Sequence, residues 1–199
     1  MTKSPIDEAI DRRVQRTRLA LRHALIELIT EQGWDDFTVQ DVCERANIGR
    51  TTFYLHYPNK DALLQGGLGE LQTELRRQTR ERSAAAGANG EALKGFGFAV
   101  GLIEHAIEQR KLFRGLIGRR SGYVVQQRFR EMVIRLVEEE LPASVGTLPN
   151  EAVARWLAGA FVELLSWWVE QQTPIQPQEL AALFNELSRP ALEQPRRTR

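Results

Sequence analysis

Apolar residues recur every three to four positions along most of this chain, which is the spacing of one face of an α-helix. In the first such stretch, from about Asp11 to Gln32, they line one side of a predicted helix that Gly33 terminates. The strict alternation of a half-buried β-strand is not sustained along the sequence. The pattern therefore predicts an all-α fold of about nine helices.

The later helices are separated by segments rich in Gly, Pro and Ser. We place them at about 60–82, 91–109, 111–119, 122–141, 150–172 and 177–188. The clearest break is Ser83–Gly90 (SAAAGANG), which we predict to be a loop. A Pro/Gly loop is predicted at 142–149, and the basic tail 191–199 is predicted to be disordered.

The helix predicted at 91–109 contains three glycines, Gly95, Gly97 and Gly101. Each lowers helix stability by about 1 kcal/mol relative to alanine, so their presence calls for a structural reason. They permit either a close approach of another helix or a bend, and the sequence does not choose between the two.

Residues 38–60, TVQDVCERANIGRTTFYLHYPNK, have the pattern of two short helices joined by a tight turn and followed at once by a third. Thr38 and Asp41 have the spacing of a capping box, so a helix is predicted to begin just after Thr38. Asn-Ile-Gly at 47–49 ends that helix, because Asn and Gly tolerate the left-handed conformation of a sharp turn.

The second short helix, Arg50–His56, carries polar residues on its outer side, and we expect Phe53 and Leu55 to pack in the core. This arrangement is a helix-turn-helix, which points to duplex DNA as the partner. The third helix is predicted to begin at Lys60, where a cation opposes the helix dipole. A bound anion such as a phosphate would make that position favourable.

The charge balance limits how DNA would be bound. The 199 residues carry a formal net charge of +1, and residues 1–60 contain nine basic and nine acidic side chains. Because there is no global basic field, affinity has to come from local placement of charge. A group of arginines lies close to the motif, and we expect one or two of them to contact phosphates: Arg12, Arg13, Arg16, Arg18 and Arg22.

Other classes of protein are less well supported by the sequence. The N-terminus lacks the apolar core of a signal peptide, and Arg155 and Glu163 interrupt the longest apolar stretch, so we expect no membrane span. The one cysteine, Cys43, forbids an intramolecular disulfide, which fits a cytoplasmic protein. The three histidines are scattered, and neither a nucleophile elbow nor a Gly-rich phosphate loop is present. We therefore expect no enzyme activity, no metal and no cofactor.

Residues 37–64 carry a more specific signal. The segments FT at 37–38, ANIG at 46–49 and TFYLHYPNKDALL at 52–64 closely resemble the TetR family of transcriptional regulators. The positions that match the family's pattern are Tyr54, His56, Tyr57, Lys60, Leu63 and Leu64. The resemblance covers about Arg16 to Gly69, and beyond it only the helical layout is similar.

The resemblance implies a helix-turn-helix DNA-binding domain at 11–59, with the motif at 38–57, and a helical regulatory and dimerisation domain at 60–190. The second motif helix would enter the major groove. Arg50 at its start is the best candidate for base contacts, because Arg can bind guanine O6 and N7 together. The other implied DNA contacts are Thr38, Gln40, Thr51, Thr52, Tyr54, His56 and Lys60. For His56 the alternative is a hydrogen bond that holds the turn.

The resemblance also implies a homodimer that binds a palindromic operator and is assembled through the last two helices. The residues predicted at that interface are Trp156, Phe161, Leu164, Trp167, Trp168, Leu180, Leu183, Phe184 and Leu187. Trp167 and Trp168 are adjacent and cannot both face one core, so we expect one of them to meet the partner subunit.

A small apolar or aromatic effector is a further implication of the resemblance, because the middle helices of the family commonly enclose a ligand that weakens DNA binding. The residues predicted to line such a pocket are Phe96, Phe98, Leu102, His105, Phe113, Leu116 and Tyr123, and each also fits plain core packing. Repression is the commoner mode in the family. The alternative is a helix-turn-helix protein that acts through protein partners and has no small-molecule ligand.

Overall fold

The computed structural model describes residues 5–88, 95–117, 121–142, 148–171 and 175–192, and these contain nine α-helices. They are α1 (Pro5–Gln32), α2 (Val39–Ala46), α3 (Arg50–His56), α4 (Lys60–Ala88), α5 (Gly97–Glu108), α6 (Arg110–Ile117), α7 (Tyr123–Glu140), α8 (Asn150–Gln171) and α9 (Pro177–Leu192). The prediction of an all-α fold is confirmed. The predicted tail lies outside the described residues from position 193 onward.

The caps predicted around the helix-turn-helix are present in the structure. Thr38 caps α2: its hydroxyl accepts the Asp41 amide proton at 3.4 Å, and its own amide donates to the Asp41 carboxylate at 2.6 Å. Asn47 ends α2 in the left-handed conformation with φ of 54°. Asn59 then accepts a hydrogen bond from the Ala62 amide at 2.8 Å and so caps α4.

The core continues from the first three helices into the second half of the chain. Phe53 of α3 is fully buried. In the second half, Phe98 of α5, Phe161 of α8 and Phe184 of α9 stack edge-on, with ring centroids 5.0 to 6.5 Å apart. α1 itself packs against α2, α4 and α6. The helix that supports the turn is therefore in direct contact with the rest of the molecule.

The loop predicted at Ser83–Gly90 is wrong for residues 83–88, because α4 continues to Ala88. The three consecutive alanines at 84–86 have the highest helix propensity of all residues, and they outweigh Gly87. α5 also begins later than predicted, at Gly97. Gly95 precedes it with φ of 102°, where any side chain would also overlap Asn185.

The remaining two glycines of that segment allow a close approach of helices. A Cβ atom at Gly97 would lie 2.6 Å from Thr79 Cγ2, and one at Gly101 would lie 2.8 Å from Gln78 Oε1. Both neighbours belong to α4. Close packing of α5 on α4 is therefore the reason for Gly97 and Gly101, and Gly95 serves the turn before the helix.

By length and composition α8 is apolar enough to cross a membrane. Its apolar side, however, is buried against the other helices: Val153, Leu157, Phe161, Leu165 and Val169 are all less than a tenth exposed. A core helix of a folded domain has this composition for the same reason, which is burial on one side.

Candidate DNA-binding surface

α3 is anchored by the buried ring of Phe53, and most of its other side chains are exposed. Phe53 is fully buried and contacts the rings of Tyr54 and Tyr57 at centroid distances of 5.4 and 6.2 Å. Arg50, Thr51 and Tyr54 are exposed, whereas Thr52 and His56 are half-buried. The outer side of α3 thus combines a guanidinium, hydroxyls and a phenol, which are donors and acceptors that can meet base edges and phosphates.

Leu55 is not in the core, contrary to the expectation from the sequence. Its side chain is 78% exposed on the same outward side of α3. Residues two apart on a helix point in nearly opposite directions, so the burial of Phe53 directs Leu55 outward. Leu55 therefore belongs with the exposed residues of α3, and the helical spacing from Phe53 was the signal that could have identified it.

Gln40 and Arg50 lie at the rim of one depression of about 450 Å³ between α2 and α3. Gln40 is exposed, and its amide donates to Glu44 at 2.8 Å. Thr38 is also exposed, but both its amide and its hydroxyl are engaged with Asp41. The hydrogen bond from the Thr38 hydroxyl is the main cause of the lowered pKa of Asp41. Gln40 and Arg50 therefore lie close together in the structure. Thr38 acts as the N-cap of α2.

Lys60 has partners within the chain, which the sequence analysis did not anticipate. Its ammonium donates to the backbone carbonyls of Trp34 at 2.6 Å and Phe37 at 2.9 Å. It also lies 4.7 and 4.6 Å from the centroids of these two rings. Burial lowers its pKa, and Asp35 and Asp36 oppose that effect. These partners explain a cation at this helix start, so the phosphate expected there from the sequence is not needed for that purpose.

Two other arginines near the helix-turn-helix form ion pairs that join helices within the chain. Arg45 of α2 bonds Glu31 at 2.7 and 3.0 Å and Glu27 at 3.2 Å, which ties α2 to α1. Arg22 of α1 pairs with Glu70 of α4. Among the arginines singled out in the sequence, Arg12, Arg13 and Arg16 are exposed and Arg18 is half-buried. Exposed positions on α1 therefore remain for phosphate contact.

The residues predicted to line an effector pocket do not share one location. Phe96, Phe98 and Leu102 are packed in the core, and Phe96 contacts the rings of Phe98 and Phe184. Tyr123 is largely exposed, and the side chain of Leu116 lies outside the described residues. The remaining two, His105 and Phe113, line a cavity of about 330 Å³ between α1, α4, α5 and α6. The sequence did not reveal that α1 contributes to this cavity.

The residues predicted at the dimer interface fall into two groups that differ in exposure. Trp156 and Leu187 are 57% and 65% exposed, Trp167 and Leu183 are also exposed, and Leu164 is half-buried. The others are buried within their own subunit: Phe161, Trp168, Leu180 and Phe184. The Trp168 indole donates to the Ile175 carbonyl at 2.9 Å, so of the adjacent pair Trp167 is the exposed one. For the four buried residues, contact with a partner is the wrong expectation, because the chain's own core already covers them.

Within the described ranges, no group of three or more His, Cys, Asp or Glu side chains is placed to hold a metal ion. Cys43 is buried on α2, and burial raises the pKa of its thiol.

Comparison with protein families gives two matches along this chain. Residues 21–66 match the model described as bacterial regulatory proteins, tetR family, and residues 96–190 match the model described as transcriptional regulator C-terminal region. The first covers α1 from Leu21 onward, all of α2 and α3 and the start of α4, and the second covers α5 to α9 almost completely. Both halves of the molecule are therefore similar to known transcriptional regulators.

Individual relatives agree with these matches. The uncharacterised HTH-type transcriptional regulator YxbF of Bacillus subtilis strain 168 is 47% identical over 60 residues, which are 30% of this chain and only 16% of that protein. The crystal structure of a TetR transcriptional regulator from Streptococcus agalactiae 2603V matches with a TM-score of 0.62 and 26% identity, over 92% of this chain and 98% of that chain. FadR of Bacillus subtilis, solved with stearoyl-CoA, matches with a TM-score of 0.57 over 88% of this chain and 97% of that chain; at 16% identity it shows the fold alone.

Proposed function

This chain belongs to the TetR family of DNA-binding transcriptional regulators, and from that premise we propose that it is a dimeric, cytoplasmic repressor whose binding to a palindromic operator is relieved by a small molecule. The observation that carries the proposal is the outer side of α3. It presents Arg50, Thr51, Tyr54 and Leu55 to solvent while Phe53 anchors the helix.

Base readout is assigned to α3 in the major groove. Arg50 stands at the first position of the helix, where an arginine can donate to guanine O6 and N7 together. Thr51 and Leu55 carry methyl groups that suit the 5-methyl of thymine. Such contacts specify sequence, whereas the polar groups around them position the helix.

Phosphate contacts are assigned to groups around the edge of α3. They are Gln40, Thr52, Tyr54, His56 and Lys60, together with one or two exposed arginines of α1; Thr38 can donate to a phosphate only when its hydroxyl releases Asp41. Lys60 can use only the N–H that its two carbonyl partners leave over. Its contribution to DNA binding is therefore smaller than that of a free lysine, and part of it comes from holding the loop that precedes α2.

Dimerisation is assigned to the exposed side of α8 and α9. Trp156 and Trp167, eleven positions apart, lie on one face of α8, and Leu183 and Leu187, four apart, lie on one face of α9; all four are exposed. A two-fold axis through this surface would pair identical faces and produce a bundle of four helices. The two copies of α3 would then read half-sites about 10 base pairs apart, or a multiple of that distance.

A small apolar or aromatic effector is the proposed signal. FadR of Bacillus subtilis, which has a related fold, was solved in complex with stearoyl-CoA, a ligand with a long apolar acyl chain, and this supports the proposal. The cavity lined by His105 and Phe113 in this chain has a volume typical of small-molecule sites. The competing proposal, control through a protein partner, predicts that no small molecule releases the DNA.

The test is fluorescence anisotropy of labelled promoter DNA from the genes adjacent to this one, titrated with the full chain at several salt concentrations. We expect a steep decrease of affinity with salt, because phosphate contacts release counterions. Arg50→Ala is expected to relax base preference and to weaken specific binding by about 1–3 kcal/mol. Arg80→Ala, which removes an exposed arginine far along α4, is the matched control and should bind like wild type. Equal affinity of Arg50→Ala and wild type for the specific site would contradict the assignment.

A further inference from the structure

We propose that α7 holds α4 straight across a segment where α4 bends easily, and that the ion pair between Asp61 and Arg128 thereby fixes the half-site spacing that the dimer accepts. The spacing part rests on the proposed function, whereas the support of α4 by α7 is tested without DNA. Arg128 is then a positioning residue, because it acts on DNA only through α4.

The segment of α4 that bends easily is residues 66–69. Glycine lowers helix stability relative to alanine, so a glycine inside a helix calls for a packing reason. Gly66 and Gly67 have one: a Cβ atom at Gly66 would lie 3.0 Å from the Tyr57 ring, and one at Gly67 would lie 3.2 Å from the Arg22 side chain. At Gly69, no atom of the described residues lies within 4 Å of such a Cβ. Close packing therefore does not account for Gly69.

A side-chain hydrogen bond weakens the same turn of α4. Thr73 Oγ1 donates to the carbonyl of Gly69 at 2.8 Å. A threonine hydroxyl bonded to the carbonyl four residues earlier competes with the backbone amide and favours a bend. α4 nevertheless continues without a break from Lys60 to Ala88. Packing against a neighbouring helix is then needed to keep the two halves of α4 in line.

α7 contacts α4 on both sides of the 66–69 segment. Before the segment, the Arg128 guanidinium donates to both carboxylate oxygens of Asp61, at 3.2 and 3.1 Å. After it, the Glu139 carboxylate accepts from Gln72 at 3.3 Å and from Arg76 Nε at 2.7 Å. Asp61 and Gln72 are eleven residues apart on α4, and their partners are eleven residues apart on α7. The two helices therefore run side by side in the same direction, and α7 spans the segment.

The pair between Asp61 and Arg128 fixes geometry more than stability. The side chains are 33% and 36% exposed, and ion pairs at such positions contribute little to the free energy of unfolding. Two parallel hydrogen bonds, however, define the orientation of a guanidinium relative to a carboxylate. Asp61 lies in the first turn of α4, directly after the helix-turn-helix. The pair thus sets where the DNA-binding end of α4 lies relative to α7.

A small bend at Gly69 is enough to change the half-site spacing. Asp61 is eight residues from Gly69. At about 1.5 Å per residue this is about 12 Å, so a bend of about 15° would move Asp61 by about 3 Å. α7 packs along α8, the helix assigned to the dimer, so the bend moves α3 relative to the two-fold axis. In a dimer the two shifts together exceed the rise of one base pair, which is about 3.4 Å.

Hydrogen exchange of the full chain without DNA tests the support of α4. Arg128→Met removes both hydrogen bonds to Asp61, and we expect the amides of residues 66–70 to exchange about fivefold faster or more. Arg77→Met is the matched control, since Arg77 pairs with Glu74 and Glu81 of its own helix, and it should leave this exchange unchanged. Exchange at 66–70 that stays at the wild-type rate in Arg128→Met would overturn the support by α7.

Half-site spacing is the readout on DNA. The duplex that the wild-type protein selects from a random library is remade with one base pair added or removed between the half-sites. We expect each change to weaken wild-type binding by about tenfold or more and Arg128→Met binding by about threefold or less. Asp61→Ala should relax the spacing in the same way. Because the two substitutions change the net charge in opposite directions, a shared effect separates bending from electrostatic attraction to DNA.

A stiffer α4 is expected to reverse the effect. Gly69→Ala fits the open space at this position and favours a straight helix, so in the Arg128→Met protein it should restore the narrow spacing preference. Gly87→Ala, also in open space but near the end of α4, is the control and should not restore it.

The outcomes separate the two proposals. Wild-type spacing preference in both Arg128→Met and Asp61→Ala would overturn the role of the ion pair, and equal effects of the two alanine substitutions would place the bend elsewhere. Failure of the wild-type protein to bind any DNA would contradict the proposed function, and hydrogen exchange would still decide whether α7 supports α4.

Discussion

Leu55 has an apolar side chain that is 78% exposed on the side of α3 assigned to the major groove. We expect it to contact a thymine methyl group, so Leu55→Ala and replacement of that thymine by uracil should each weaken binding by about 1 kcal/mol. Because both changes remove the same contact, the double change should cost little more than either one. Titrations of the two proteins with the two DNA sequences measure this coupling. Strictly additive losses at every thymine of the operator would show that Leu55 does not contact a methyl group.

Lys60 connects the start of α4 to the loop between α1 and α2 through the carbonyls of Trp34 and Phe37. Lys60→Met keeps an unbranched side chain of similar length and removes the charged donor, and we expect the free energy of unfolding to fall by roughly 1–2 kcal/mol. DNA affinity should fall alike for specific and non-specific sequences. Urea denaturation and anisotropy titrations measure the two effects. Unchanged stability with a large loss of DNA binding would show that the ammonium acts mainly on phosphate.

At these two residues the sequence was informative in different degrees. The position of Leu55, two residues after the buried Phe53, indicates that it faces outward, because positions two apart on a helix do not share a face. The partners of Lys60 lie 23 and 26 residues earlier in the chain. Only the folded loop brings those carbonyls to the ammonium, so the local sequence around Lys60 does not predict these hydrogen bonds.

At the scale of single helices, the start of α5 depends on a distant residue. The amides of Gly97 and Phe98 donate to the Glu140 carboxylate at 2.5 and 3.0 Å, and Glu140 is the last residue of α7. This carboxylate satisfies two amide donors that the first turn of a helix leaves free. Burial raises the pKa of Glu140, and these two hydrogen bonds oppose that effect.

Glu140→Ala is expected to lower the free energy of unfolding by about 1–2 kcal/mol, because it removes the cap of α5. Glu138→Ala, an exposed glutamate on the same helix, is the control and should change stability little. Thermal and urea denaturation of the three proteins give the comparison. A Glu140→Ala variant as stable as the control would mean that water replaces the carboxylate without cost.

The helix boundaries show where sequence patterns succeed and fail. α2 and α3 were predicted closely, since the residues that bound them are local: Thr38 and Asn47 flank α2, and Gly49 directly precedes α3. The start of α5 was predicted too early, because its cap comes from 43 residues further along the chain. α4 is longer than the sequence pattern predicts, since the three alanines at 84–86 favour helix strongly enough to carry it through Gly87.

At the scale of the whole molecule, the sequence predicted the all-α fold and the motif but not which side of the last helices faces outward. Phe161 and Trp156 both lie on α8, yet one is buried in the subunit and the other is exposed. Hydrophobicity alone does not distinguish these two sides, because a core and a dimer interface select similar residues. The sequence does not reveal the cavity lined by His105 and Phe113 for a related reason: its walls extend from Leu19 to Phe113, and only the tertiary structure assembles them.

The central claim is that two copies of this chain read a symmetric DNA sequence through α3. Selection of bound fragments from a library of random duplex DNA, with the full-length protein at physiological salt, tests it most directly. We expect enrichment of an inverted repeat whose half-sites lie about 10 base pairs apart or a multiple of that distance, with a guanine at the position that Arg50 contacts. Enrichment of a single unrepeated site, or no enrichment over the starting library, would contradict it.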